Sequence, residues 1–139
     1  MNKPHKKLNV WTDAVDLAQQ IYRVTERFPS NEQFGLTSQI RRAAVSIPSN
    51  IAEGAARQTR KEFIQFLHVS KGSLSELDTQ LELAKRLEYL GQAEWEALNE
   101  LLERAHSPLE NQALNPMNCL HLLHFTFHVS PFTSHASRP

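Results

Sequence analysis

Phe63, Leu67, Ser70, Leu74, Leu77, Leu81 and Ala84 recur at alternating four- and three-residue steps, apolar at every position but Ser70, and the register continues to Glu88. A chain that holds one stripe in phase for so long must bury it along a helix, because a strand would send alternate residues to opposite faces. A lone helix of this kind is marginal in water, so the seam requires partner helices. Thr59 followed by Glu62 reads as a capping box that satisfies two orphan amides at the start, and Leu90-Gly91 marks the end. Gly72 interrupts the pattern at a cost of about 1 kcal/mol relative to alanine, for which close helix approach at Gly72-Ser73 is the expected compensation.

Three further segments carry the same period. The first runs from about Val10 to Phe28, with Trp11, Ala14, Ala18, Ile21, Thr25 and Phe28 on one face, and Phe28-Pro29-Ser30-Asn31 ends it. The second spans about Phe34 to Ala56 with Ile40, Ala44, Ile47, Ile51 and Ala55 in line. Its stripe keeps phase through Pro48, which predicts one kinked helix rather than two. The fourth begins at Gln92 and places Trp95, Leu98, Leu102 and Ala105 together. Connections of about two to eight residues suit antiparallel neighbours, and no alternating strand pattern competes. The expected fold is therefore all-α: an up-and-down antiparallel four-helix bundle over residues 8–106.

With 139 residues, one domain is the expectation. A single cysteine, Cys119, excludes an internal disulfide framework. No apolar run approaches the roughly 18 residues of a membrane span, and the amino terminus lacks a signal-peptide core, which makes a cytoplasmic location the expectation. Fifteen Lys and Arg balance fifteen Asp and Glu, so any attraction to nucleic acid must be local. The balance conceals polarity: residues 1–60 hold nine basic and five acidic groups, and residues 61–106 hold five and nine.

The strings FGLTSQIRRAAVSIPSNIAEGAAR at 34–57 and KEFIQFLHVSKGSLSELDTQLELAKRLEYL at 61–90, with VWTDAVDLAQQIYRVTERFP at 10–29, resemble the small bacterial four-helix-bundle proteins encoded in intervening sequences of 23S ribosomal RNA genes. The resemblance spans roughly residues 8–105. It implies a homo-oligomer, typically a pentameric barrel, and a relation to the accessory proteins of diversity-generating retroelements, which bind nucleic acid and a reverse transcriptase. Family members continue a long fourth helix, whereas this chain reads SPLENQALNPMNCLHLLHFTFHVSPFTSHASRP after His106. Pro108 is expected to break the helix and truncate it, leaving 107–139 as an atypical tail of the sort that a shifted or wrongly extended reading frame produces.

Arg41 and Arg42, with Arg57, Arg60 and Lys61 around the following turn, form the candidate phosphate-binding cluster. Five cations in one region would bind RNA or DNA backbone in a salt-sensitive and largely sequence-independent way. Arg42, about 200° from Ile40 around the helix, should point away from the core. The alternative is a solvated face whose ion pairs serve a protein-interaction scaffold without nucleic-acid binding. Lys3, Lys6 and Lys7 read as a solvated, frayed end.

Catalytic readings are weaker. Ser46-Ile47-Pro48-Ser49-Asn50 offers hydroxyls, but no histidine lies between His5 and His68, so Ser46 or Ser49 is expected to bond a carbonyl freed by Pro48. The carboxylate pairs Asp13/Asp16 and Glu76/Glu82 have spacings that are frequent by chance, and Glu103-Arg-Ala-His106 is a single metal-type motif where a di-metal bundle needs two. Cys119, His121, His124 and His128 would suit zinc on a helix, against the flanking prolines. Trp11, Trp95 and Tyr22 are spaced as packing residues. The expectation is a protein without catalysis and without cofactor.

Overall fold

The computed structural model describes residues 3–114, with side chains through Asn111. A 3-10 turn over Pro4–Lys7 leads into four helices: α1 (Asn9–Thr25), α2 (Leu36–Ala55), α3 (Arg60–Arg86) and α4 (Gln92–Leu114). A second 3-10 turn, Ser30–Glu32, precedes α2. The principal contacts run α1–α2, α2–α3, α3–α4 and α4–α1, the order of a square, with α2–α3 the most extensive. Neighbours are antiparallel: Arg42 meets Glu76, Ser46 meets Ser73, and the carbonyl of Ile47 accepts from Ser70 Oγ. Asp13 of α1 pairs with Arg104 of α4, and Arg27, two residues past the end of α1, with Glu94 of α4. Among the described residues no helix is long and apolar enough to cross a membrane.

The core follows the periodicity. Phe63, Leu67, Ser70, Leu74, Leu77, Leu81 and Ala84 are all buried on α3. On α2, Ile40, Ala44, Ile47 and Ile51 are fully buried, and the helix is continuous through Pro48. Ser49 Oγ donates to the carbonyl of Val45 and Asn50 Nδ2 to that of Ser46, while Ser46 Oγ pairs with Ser73 Oγ; neither serine bonds the carbonyl of Ala44, the one that Pro48 frees, which corrects the expectation for these hydroxyls. On α1 the innermost stripe is Val10, Ala14, Leu17, Ile21 and Val24, and Trp11 and Ala18 lie on its flank.

Four further local expectations are corrected. Pro108 does not end the fourth helix, because α4 runs through it to Leu114 and buries Leu109 completely. Burying that leucine contributes about 1.5–3 kcal/mol, of the order of the roughly 3 kcal/mol that an interior proline costs.

The third helix ends at Arg86, and the left-handed residue is Glu88 (φ 62°), not Gly91. The amide of Tyr89 bonds the carbonyl of Ala84 and that of Glu88 the carbonyl of Lys85, a Schellman closure.

Gly72 faces open space. The close approach is at Gly54, where an added Cβ would stand 2.7 Å from Cβ of Phe66 and 3.3 Å from the carbonyl oxygen of Phe63.

Finally, Thr59 Oγ1 accepts from the amide of Glu62 and donates to its carboxylate, so the box satisfies one orphan amide rather than two.

Candidate nucleic-acid interface

The antiparallel square decides which cations share a region. Arg41 and Arg57 lie on one helix and its end, about 24 Å apart at 1.5 Å per residue. Arg41 turns toward α1: its Nε donates to Thr25 Oγ1 at 2.8 Å, and its guanidinium lies 4.6 Å from the centre of the Tyr22 ring. Arg42 turns toward α3 and pairs with Glu76 at 3.2 Å, well exposed to solvent. These two arginines are therefore split between two grooves and are not joined to the other three.

Arg57, Arg60 and Lys61 do sit together, at the α2–α3 turn. Arg57 pairs with Glu53 at 2.6 Å and stacks on Phe66. Arg60 holds Nε and one terminal nitrogen out of water without a hydrogen-bond partner among the described residues. Lys61 is exposed.

Sequence reasoning missed the lysines that join them. The amino-terminal segment is not a frayed end: Pro4–Lys7 forms a 3-10 turn that packs on α2 and α1, and His5 stacks on Trp11 at 4.9 Å. Because α1 starts where α2 ends, Lys3, Lys6 and Lys7 stand exposed at the same end of the bundle as Arg57, Arg60 and Lys61. The available signal was Pro4 before a short apolar anchor, Leu8, which is buried. At this end the six cations stand against Glu53 and Glu62, while Asp13 is paired with Arg104 and Glu110 with Lys71, so the end is positive although the total is neutral.

The remaining candidates resolve into local structure. Asp13 pairs with Arg104, Glu76 with Arg42, and Glu82 with Arg86 at 2.9 Å. A cleft of about 520 Å³ between α3 and α4 is lined by Asp78, Glu103, His106 and Glu110, with Ser75 and Asn99, a set that repels phosphate. Among the described residues no three His, Cys, Asp or Glu side chains are grouped to hold a metal ion. Cys119, His121, His124 and His128 lie outside the described residues.

The family model described as 23S rRNA-intervening sequence protein matches residues 6–111, which takes in α1 to α3, α4 as far as Asn111, and Lys6 and Lys7 but not Lys3 of the basic end. The chain belongs to that family. A similar solved structure is that of a protein of unknown function from the S23 ribosomal protein family of Bacteroides thetaiotaomicron VPI-5482. It is 25% identical with a TM-score of 0.71, and the match covers 76% of this chain and 99% of that one. Among curated proteins there is no match. The shared bundle accounts for the distinctive second-helix string: Ala43, Ala44 and Gly54 are buried where α2 meets its neighbours.

Proposed function

We propose that this member of the 23S rRNA-intervening sequence protein family acts without catalysis, as a homo-oligomer that binds RNA or DNA backbone through the basic end of each bundle. The observation that carries the reading is the gathering of Lys3, Lys6 and Lys7 with Arg57, Arg60 and Lys61. Phosphate binding by exposed cations is weak for one subunit. Repeating the same end around an oligomer raises the effective concentration and makes the binding useful. Arg60 contributes in particular, since a guanidinium with unpaired N–H groups gains two charge-assisted bonds by turning outward to an oxyanion. The resemblance favours a pentamer, and the cytoplasm is the compartment that suits a chain with a lone cysteine.

A second reading is a protein-interaction scaffold, such as one that docks a reverse transcriptase. The acidic cleft between α3 and α4 favours it, because that surface suits a basic protein partner.

Light scattering of the purified chain with a mixed RNA and DNA pool, at low and high salt, separates the two. Uptake at low salt that is lost in the Arg57→Glu, Arg60→Glu, Lys61→Glu variant, with the oligomer intact, supports nucleic-acid binding. An oligomer that ignores nucleic acid at low salt overturns it in favour of the scaffold.

A further inference from the structure

A cavity of about 340 Å³ opens between the end of α1 and the first turns of α2, at the end of the bundle away from the basic cluster. That volume falls within the range of small-ligand sites. Thr37 and Arg41, one helical turn apart on α2, line it with Thr25 and Glu26 at the end of α1 and with Phe28 and Pro29 of the turn. Three polar residues are buried among the described residues, and two of them, Thr25 and Ser70, donate to main-chain carbonyls. Thr37, 7% exposed, is the third, and its hydroxyl has no partner among the described residues. A threonine on a helix populates two χ1 rotamers, so this hydroxyl is free to turn to a ligand in the cavity that its side chain lines. Arg41 is held from behind: its Nε donates to Thr25 Oγ1 at 2.8 Å, its Nη2 reaches the Tyr22 carbonyl at 3.4 Å, and the guanidinium lies over the Tyr22 ring. Its Nη1 bonds none of the described residues. Neither nearby carboxylate neutralises it. Glu32 accepts from the Leu36 amide and the Tyr89 hydroxyl, and Glu26 is exposed and lines the same cavity without pairing with Arg41.

We propose that this cavity binds a small zwitterion of the α-amino-acid class, with the ligand's carboxylate on Arg41 and Thr37 and its ammonium toward Glu26. One carboxylate oxygen accepts from Arg41 Nη1 and the other from the Thr37 hydroxyl, two charge-assisted bonds made by groups that the fold leaves without partners. The two wall charges set the ligand class. Glu26 repels a simple anion such as phosphate, and Arg41 repels a simple cation, whereas a molecule that carries both charges at the spacing of one amino acid satisfies both walls. Phe28 and Pro29 offer apolar surface to the ligand's side chain. Discrimination rests on Thr37 in particular, because a ligand without an acceptor there leaves a buried hydroxyl unpaired. The cavity lies at the opposite end of the bundle from Lys3, Lys6, Lys7, Arg57, Arg60 and Lys61, so its binding is independent of the nucleic-acid reading above.

The test reads binding to the full chain by saturation-transfer NMR, with an equimolar mixture of the standard L-amino acids as the probe and a titration of each one that binds. The N-acetyl and carboxamide derivatives of those amino acids are then titrated in turn. Expected is binding of one or more free amino acids, with both derivatives about tenfold weaker, since each lacks one of the two charges. Thr37→Val should weaken the free amino acid by about tenfold and Thr37→Ser should retain it, the hydroxyl being the difference between them. Glu26→Gln should weaken the free amino acid and leave its N-acetyl derivative unchanged. Circular dichroism follows the fold of each variant, and Glu26→Gln, at an exposed position, carries the test should Thr37→Val lose helix content. No binding at millimolar concentration overturns the proposal. Binding that survives both Thr37→Val and Glu26→Gln places the ligand elsewhere and overturns the site, and an N-acetyl derivative bound as tightly as the free form overturns the zwitterion class.

Discussion

Gly54 on α2 lies directly beneath Phe66 on α3, so close that a methyl group at position 54 would stand 2.7 Å from the Phe66 Cβ. That contact lets the two helices with the largest shared surface approach closely at the basic end. Gly72, the glycine whose position in the seam suggests a close crossing, has nothing within 4 Å of its would-be Cβ. The two glycines therefore predict opposite outcomes. Gly54→Ala should destabilise by about 1–3 kcal/mol through overpacking against atoms that cannot swing aside. Gly72→Ala should stabilise by up to about 1 kcal/mol through helix propensity alone. Urea unfolding of both variants checks the pair, and equal effects of the same sign would contradict it.

Glu88 closes α3 in the left-handed region, where an L side chain costs roughly 1–2 kcal/mol. Glu88→Gly removes that cost and gives back part of it as unfolded-state entropy. A net gain of about 0.5–1 kcal/mol is expected in urea unfolding. A loss would show that the exposed Glu88 side chain makes a stabilising contact.

Tyr89 Oη donates to Glu32 Oε1 at 3.2 Å and ties the end of α3 to the turn before α2. Partial burial raises the phenol above its ordinary value of 10.0, and the charge of Glu32 and its hydrogen bond push in the same direction. The neutral phenol is the form that the fold favours. Its contribution is therefore fully present below the unfolded-state value near 10 and is lost as pH rises through the higher folded value. Stability measured from pH 8 to 11 should fall at the alkaline end more steeply in the parent than in Tyr89→Phe. Parallel curves would mean that the phenol does not couple to folding.

Phosphate contacts set the salt dependence of nucleic-acid binding, at about 0.9 in the log–log slope per phosphate on duplex DNA. Replacing Lys3, Lys6 and Lys7 with alanine should flatten the slope by up to about 2–3 and leave stability nearly unchanged, since these side chains are exposed. Arg41→Ala should behave in the opposite manner. It leaves the slope alone and costs about 1–2 kcal/mol of stability, because Arg41 bonds Thr25 and covers Tyr22. Filter binding at several salt concentrations, paired with urea unfolding, distinguishes the two.

Spacing along the chain was sufficient for the four helices and for every buried position of α3, because a period of 3.6 is a local property that each segment carries alone. The continuity of α2 through Pro48 was legible for the same reason. Pro108 was misread because the gain that offsets much of its cost, the burial of Leu109 among other helices, is not local. The cation cluster was half legible. Angles around a helix separate Arg42 from the core, but they do not say that Arg41 turns to α1 while Arg42 turns to α3. Nor do they say that the first lysines fold back beside Arg57, Arg60 and Lys61. Those placements follow from antiparallel packing, which sets residues far apart in the chain side by side at one end of the bundle and divides adjacent ones between two grooves. Likewise, which glycine is crowded and which is open depends on where two helix axes approach, a distance that belongs to the pair of helices and to neither sequence alone.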